Sequence, residues 1–299
     1  MSKVKLFSGS ATALITPFHR NEIDYPALGR LIEDQIARHA DALVVCGSTG
    51  ESASLTEKER AEVIAYTVKQ VSHRIPVIAG TGAAGTARTL SLSHEACEAG
   101  ADALLIATPT YCRPPQRGLI AHFEAVANAV SRPIILYNIP SRTGCALTLD
   151  SYDRLADHKN IIAVKEAGGS ITDAAHFMEI CGSRLQLFSG NDDALLPMLA
   201  IGASGVISVA GNLIPDVMHR ICEMWEAGDV AACQTLTRQI RPLCSLLFSD
   251  SNPIPIKAAL AIRKQCESTL RPPLCEAEPI LIEKLQQEFN RLHTLGLLT

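Results

Sequence analysis

No Cys-x-x-Cys pair occurs among the ten cysteines, so the spacing that most zinc and redox sites use is missing. The opening residues MSKVKLFSGS lack the apolar stretch of a secretory signal. Apolar runs such as ADALLIA and IIAV are far too short to cross a bilayer. Basic residues are not in excess: 27 Lys+Arg stand against 31 Asp+Glu, a net charge of −4, which argues against a nucleic-acid footprint. Long charge runs, internal repeats and low-complexity tracts are also missing, and apolar content is 47%, so disorder is not expected. These features predict a soluble cytoplasmic protein whose cysteines serve as reduced, small core residues, with no membrane and no nucleic-acid partner.

What is present is a regular alternation. Eight short apolar runs begin at Ser10, Ala42, Pro76, Ala103, Pro133, Ile161, Leu185 and Gly205. They are apolar on both faces, as a parallel sheet covered by helices requires. Between them lie segments whose apolar residues recur at three and four positions, the helical period. Eight strand–helix units predict an α/β fold of the closed (β/α)8 (TIM barrel) type, preferred over an open doubly wound sheet because the spacing is regular and the composition unbroken. The eighth unit ends near Gly228, so residues 1–228 are expected to form the barrel. Residues 229–299 are expected to form a C-terminal extension of three helices.

In such barrels chemistry sits at the C-terminal ends of the strands. Four of these ends carry informative loops: GSTGES, TPTYCRP, YNIPSRTG and VKEAGG. Of nine lysines, Lys165 alone ends a predicted buried strand. Desolvation favours the neutral amine, which can attack a carbonyl and form an imine. The alternative is an ion pair with Glu166 or another carboxylate. Tyr137 ends the preceding strand, and neighbouring strands lie ~4.8 Å apart, so the two side chains can meet if both point inward. A phenol can relay protons during imine formation, while Ser48 and Thr49 offer hydroxyls and backbone donors for a carboxylate; otherwise their loop is a turn capping a helix. Arg142 could hold a carboxylate through paired hydrogen bonds. Tyr111, in an Arg- and Pro-rich loop, suits a lid or an interface.

Two other readings are set aside. GTGAAG (80–85) has the G-x-G-x-x-G form, but it falls in the third unit, and the next strand ends without an acidic residue for a ribose. The nine histidines fall on helices and loops without a convergent carboxylate set, so no metal site is expected.

At GSTGES, YNIPSRTG, VKEAGG and SGNDDALL the chain resembles the dihydrodipicolinate synthase/N-acetylneuraminate lyase family over nearly its whole length. The resemblance implies a Schiff-base mechanism with no cofactor: Lys165 would form a covalent imine with pyruvate, and Tyr137 would shuttle protons. Ser48 would serve the relay, with serine in place of the commoner threonine, and Thr49 would hold the pyruvate carboxylate. Tyr111 would complete the relay of a neighbouring subunit, and members are commonly homotetramers built as dimers of dimers. Gly190 and Ile207 would line the pyruvate pocket. The string P-S-R-T-G favours the synthase branch, in which Arg142 would bind the carboxylate of aspartate 4-semialdehyde. The implied reaction condenses pyruvate with that aldehyde to 4-hydroxy-tetrahydrodipicolinate, towards diaminopimelate and lysine. A related 2-oxo acid aldolase of sialate or sugar-acid type, and a non-catalytic pyruvate-binding paralogue, are the alternatives. Glu57, Arg60, Ala84, Arg88 and Thr110 match the lysine-inhibition cleft of the family. Arg88 there would repel an ammonium, so weak or absent lysine inhibition is expected.

Overall fold

In a computed structural model, residues 3 and 5–298 are described; residues 1, 2, 4 and 299, at the outer ends of the two expected segments, lie outside the description. Eight parallel strands close into a barrel: β1 (Gly9–Ala13), β2 (Ala42–Val45), β3 (Val77–Gly80), β4 (Ala103–Ala107), β5 (Ile134–Asn138), β6 (Ile161–Glu166), β7 (Gln186–Ser189) and β8 (Gly205–Ser208). Each strand pairs with its successor, and β8 returns to β1. The expected (β/α)8 architecture is therefore correct.

Most strands separate two apolar layers, whereas β1 carries the buried Ser10 and Thr12 on the side opposite Ala11 and Ala13. On β5, Ile135 and Tyr137 belong to the barrel interior with Ala11, Ile78, Phe188 and Ile207. Ile134 and Leu136 face the shell of helices instead. This is the period-two alternation of a pleated strand, with apolar residues on both sides because both sides are covered. Phe7, just before β1, stacks on Phe188 with ring centroids 4.3 Å apart, which fills the interior from the N-terminal side.

The helical layer comprises α1 (Tyr25–Ala37), α2 (Glu57–Val71), α3 (Thr86–Glu98), α4 (Gln116–Ala129), α5 (Leu149–Ala156), α6 (Ile171–Cys181), α7 (Leu195–Ala200) and α8 (Pro215–Glu226). Their starts follow local chemistry. Asp24 accepts the Ala27 amide at 2.9 Å ahead of α1. Thr56 and Glu59 form a reciprocal capping box on α2. Three further helices follow: α9 (Val230–Leu247), α10 (Ile254–Ile262) and α11 (Pro279–Thr294). Leu243, Leu247, Leu260, Leu285 and Phe289 from these helices join the same apolar cluster as the barrel's outer face.

Several local features differ from the expectations. The first strand stops at Ala13 rather than Thr16, and a two-residue hairpin, Phe18–His19 against Glu22–Ile23, occupies the loop after it. A helical turn, Pro140–Thr143, forms inside YNIPSRTG. The segment at 191–202 divides into a short 3-10 turn and α7, and α10 ends at Ile262 because Lys264 adopts a left-handed conformation with φ 57°. No helix among the described residues is long and apolar enough to cross a membrane, and all ten cysteines are free.

Candidate active site

The β5–β6 register sets Tyr137 directly beside Lys165. Both share the inward parity of their strands, and the Lys165 Nζ lies 4.5 Å from the centre of the Tyr137 ring. Lys165 is only 4% exposed. Burial lowers its pKa to about 8; the charge of Asp192 draws it up and that of Arg142 pushes it down. A useful fraction of the amine is therefore neutral near physiological pH. Burial also raises the Tyr137 phenol to about 12, with Arg142 and the neighbouring Ser48 hydroxyl opposing the rise. The phenol thus remains protonated and can donate.

Glu166 is not the partner of this lysine. Its carboxylate accepts the Asn138 amide at 2.9 and 3.0 Å, the Gly168 N–H at 2.5 Å and the Tyr152 hydroxyl at 3.2 Å. Successive residues of a strand face opposite sides, so Lys165 and Glu166 diverge. The charge that draws the Lys165 pKa up is that of Asp192, whose Oδ2 accepts the Val209 and Ala210 amides at 3.1 and 2.9 Å.

A cavity of about 510 Å3 opens at the C-terminal mouth; Ser48, Tyr137 and Arg142 line it. Lys165 adjoins it through Tyr137. Thr49 is buried beside Ser48, and its Oγ1 accepts the Asn252 side-chain amide at 2.9 Å. The Arg142 guanidinium donates to the Asn252 carbonyl at 2.8 Å. Ile207 is fully buried in the barrel interior with Tyr137. Gly190 has its N–H on the Glu166 carbonyl at 2.7 Å, and a Cβ there would lie 2.7 Å from that of Ala167, so only glycine fits without displacement. Tyr111 stands apart: it is 95% exposed and in a left-handed conformation, φ 71°, outside this cluster.

GSTGES is more than a turn before a helix, since α2 is capped by Thr56 at its own start. Cys46 and Glu51, at either end of the loop, have φ of 53° and 54°, a strained state for non-glycine residues. Glu51 is held by a buried ion pair with Lys257 and by the Arg271 amide at 3.2 Å. In GTGAAG, Gly80 and Gly82 permit close backbone approach: a Cβ would lie 2.3 Å from the Cys46 carbonyl and 2.8 Å from the Ala107 amide, respectively. That crowding accounts for these two glycines without a nucleotide. Among the described residues, no group of three His, Cys, Asp or Glu side chains converges as metal ligands would.

Sequence reasoning overlooked Asn252, Asp192 and Lys257. Asp192 lies within SGNDDALL and was placeable near a strand end. Asn252 and Lys257 carried no such signal, because they reach the mouth from beyond the eighth unit.

Fold and site together define a (β/α)8 barrel of enzyme type, organised around a desolvated lysine amine at its mouth. A sequence profile of the dihydrodipicolinate synthetase family matches residues 6–292, and the chain belongs to that family. It is 45% identical over 273 residues to a 4-hydroxy-tetrahydrodipicolinate synthase of Clostridium perfringens, covering 91% of this chain and 94% of the relative. The crystal structure of dihydrodipicolinate synthase from Aquifex aeolicus superimposes with a TM-score of 0.93 at 40% identity, covering 97% and 99% of the two chains. The Acinetobacter baumannii dihydrodipicolinate synthase, solved in complex with pyruvate, gives a TM-score of 0.93 at 36% identity and covers 97% and 99%.

Proposed function

We propose that this protein condenses pyruvate with aspartate 4-semialdehyde to 4-hydroxy-tetrahydrodipicolinate, in the synthesis of diaminopimelate and lysine. The observation that carries the mechanism is the buried Lys165 amine, brought to about pKa 8 beside a protonated Tyr137. The neutral amine attacks the pyruvate ketone; loss of water gives the imine, and loss of a methyl proton gives the enamine. The enamine carbon attacks the aldehyde, and ring closure by the substrate amine releases Lys165. Tyr137 and Ser48 relay the protons, with Tyr111 of a neighbouring subunit as the third member. Thr49 holds the pyruvate carboxylate, Arg142 holds that of the aldehyde substrate, and Gly190 and Ile207 shape the pocket. The chemistry needs no cofactor beyond the covalent imine.

The exposure of Tyr111 supports its role across an interface, and we read the assembly as a homotetramer built from dimers. The free thiols support a reducing, cytoplasmic setting. Residues 1–228 form the catalytic barrel in this reading, and 229–299 the helical region behind one wall of the mouth. Arg88 forms an ion pair with Glu57 at 3.1 Å beside the buried Arg60, which supports weak or absent inhibition by lysine. Strong inhibition at low millimolar lysine would refute that point.

Incubation with pyruvate and borohydride, followed by peptide mass spectrometry, tests the mechanism. The expected result is a pyruvate-derived adduct on Lys165. A folded protein that acquires none, beside a positive control, would remove the imine from the account.

A further inference from the structure

Asn252 lies between α9 and α10 and is 8% exposed. It is 203 residues from Thr49 and 110 from Arg142, yet it touches both, through its side-chain Nδ2 and its backbone carbonyl. A hydroxyl has one proton and two lone pairs. Because the Thr49 oxygen accepts from Asn252, the proton of that hydroxyl remains available for another acceptor. Among the described residues, no other side-chain hydrogen bond engages it. The guanidinium of Arg142 is likewise anchored at Nη2 alone among those residues, so its other N–H groups stay free at the cavity wall.

We propose that Asn252 is a positioning residue that turns Thr49 into a hydrogen-bond donor and aims Arg142, so that one residue of the C-terminal region prepares both carboxylate sites. The proposal rests on the reading that Thr49 and Arg142 hold the two substrate carboxylates. Its physical content is directional. An amide donates to Thr49 and leaves the threonine proton for the ligand. An aspartate of the same shape can only accept, and takes that proton away.

The test is a double-mutant cycle on the full chain with Asn252→Ala, Thr49→Val and the pair, scored by steady-state kinetics and by the pyruvate dependence of borohydride trapping. Asn252→Ala is expected to raise the pyruvate KM and the half-saturating pyruvate concentration about tenfold, the loss of one oriented hydrogen bond to a charged group, with kcat changed far less. In the Thr49→Val background the same substitution is expected to have under about a twofold effect, because its route of action is already gone. Asn252→Asp is expected to be at least as harmful as Asn252→Ala, and as the isosteric variant it carries the same cycle should the alanine variant fail to fold. Fully additive effects, or an Asn252→Asp KM equal to the parent's while Thr49→Val raises it, would overturn the proposal. A Thr49→Val protein with the parent's pyruvate KM would instead overturn the carboxylate reading beneath it.

Discussion

Two lysines are buried near the mouth of this barrel, and they are built in opposite ways. Lys257 is fully buried on α10, in an ion pair with Glu51, with its Nζ also donating to the Thr269 carbonyl at 2.8 Å and lying 4.1 Å from the Phe18 ring centre. Lys165 is 4% exposed at the end of β6, and the carboxylate next to it in sequence is turned elsewhere. Burial lowers the pKa of both amines, but Glu51 opposes the effect directly at Lys257. One amine is matched by a carboxylate, and that pair ties the C-terminal region to the GSTGES loop. The other is free to lose its proton. Burial favours the neutral amine in both places, and a paired carboxylate opposes it at Lys257.

Substitution by methionine separates the two most sharply. Lys165→Met is expected to abolish pyruvate trapping and to lower turnover by at least about a thousandfold, since no other lysine lines the cavity among the described residues. Its stability should equal or exceed that of the parent, because an apolar side chain replaces a desolvated amine. The sign of the pH dependence follows from the lowered pKa. The folded state prefers the neutral amine, so the parent is penalised most below about pH 8, and the gap should close as pH rises towards 10.5, the ordinary value. A Lys165→Met chain less stable than the parent at neutral pH would break the contrast.

Lys257→Met should do the reverse. Removing one partner of a buried pair costs roughly 3–5 kcal/mol, so denaturant or thermal unfolding should show a large loss, while the folded fraction still traps pyruvate on Lys165. Adding Glu51→Gln should recover more than half of that loss, since it removes the stranded charge. A double variant no more stable than Lys257→Met would mean that the pair matters for its shape rather than its charge.

A subtler effect concerns Asp192. Its charge holds the Lys165 pKa up, so Asp192→Asn should move the midpoint of trapping rate against pH in the acid direction from about pH 8. An unmoved or alkaline-shifted midpoint would show that Asp192 does not act on the amine. The smallest effect is expected from a third buried base. His122, bonded through Nδ1 to the Thr86 hydroxyl at 2.9 Å, is lowered to about pKa 4 by burial. Its contribution to stability should be complete above pH 6.5 and decline as pH falls towards 4, because the unfolded chain takes up the proton first. His122→Phe should flatten that decline relative to the parent in unfolding measured across the interval; parallel curves would exclude it.

Much of the site was legible because a polar residue at the end of an apolar strand is a contradiction within a short window. Lys165 after IIAV and Tyr137 after IIL stand out for that reason, and strand parity then brings them face to face. Lys257 raises no such contradiction. In IPIKAALAI a single lysine reads as the solvent face of a helix, and only packing against Phe18 and Glu51 reveals that it has none. The Glu166 alternative failed for a local reason that the pleat supplies, yet its real partners, Asn138 and Tyr152, depend on how neighbouring elements sit.

The sequence by itself determined the eight-fold alternation, the closed parallel barrel and the side chains at its strand ends, because burial on two faces and helical periodicity are written in runs of five to fifteen residues. Tertiary structure alone decided which buried amine is paired, which carboxylate lies near Lys165, and that Asn252 reaches across 203 positions to Thr49. Those outcomes depend on distances of a few ångströms between residues far apart in the chain, where local propensity carries no information.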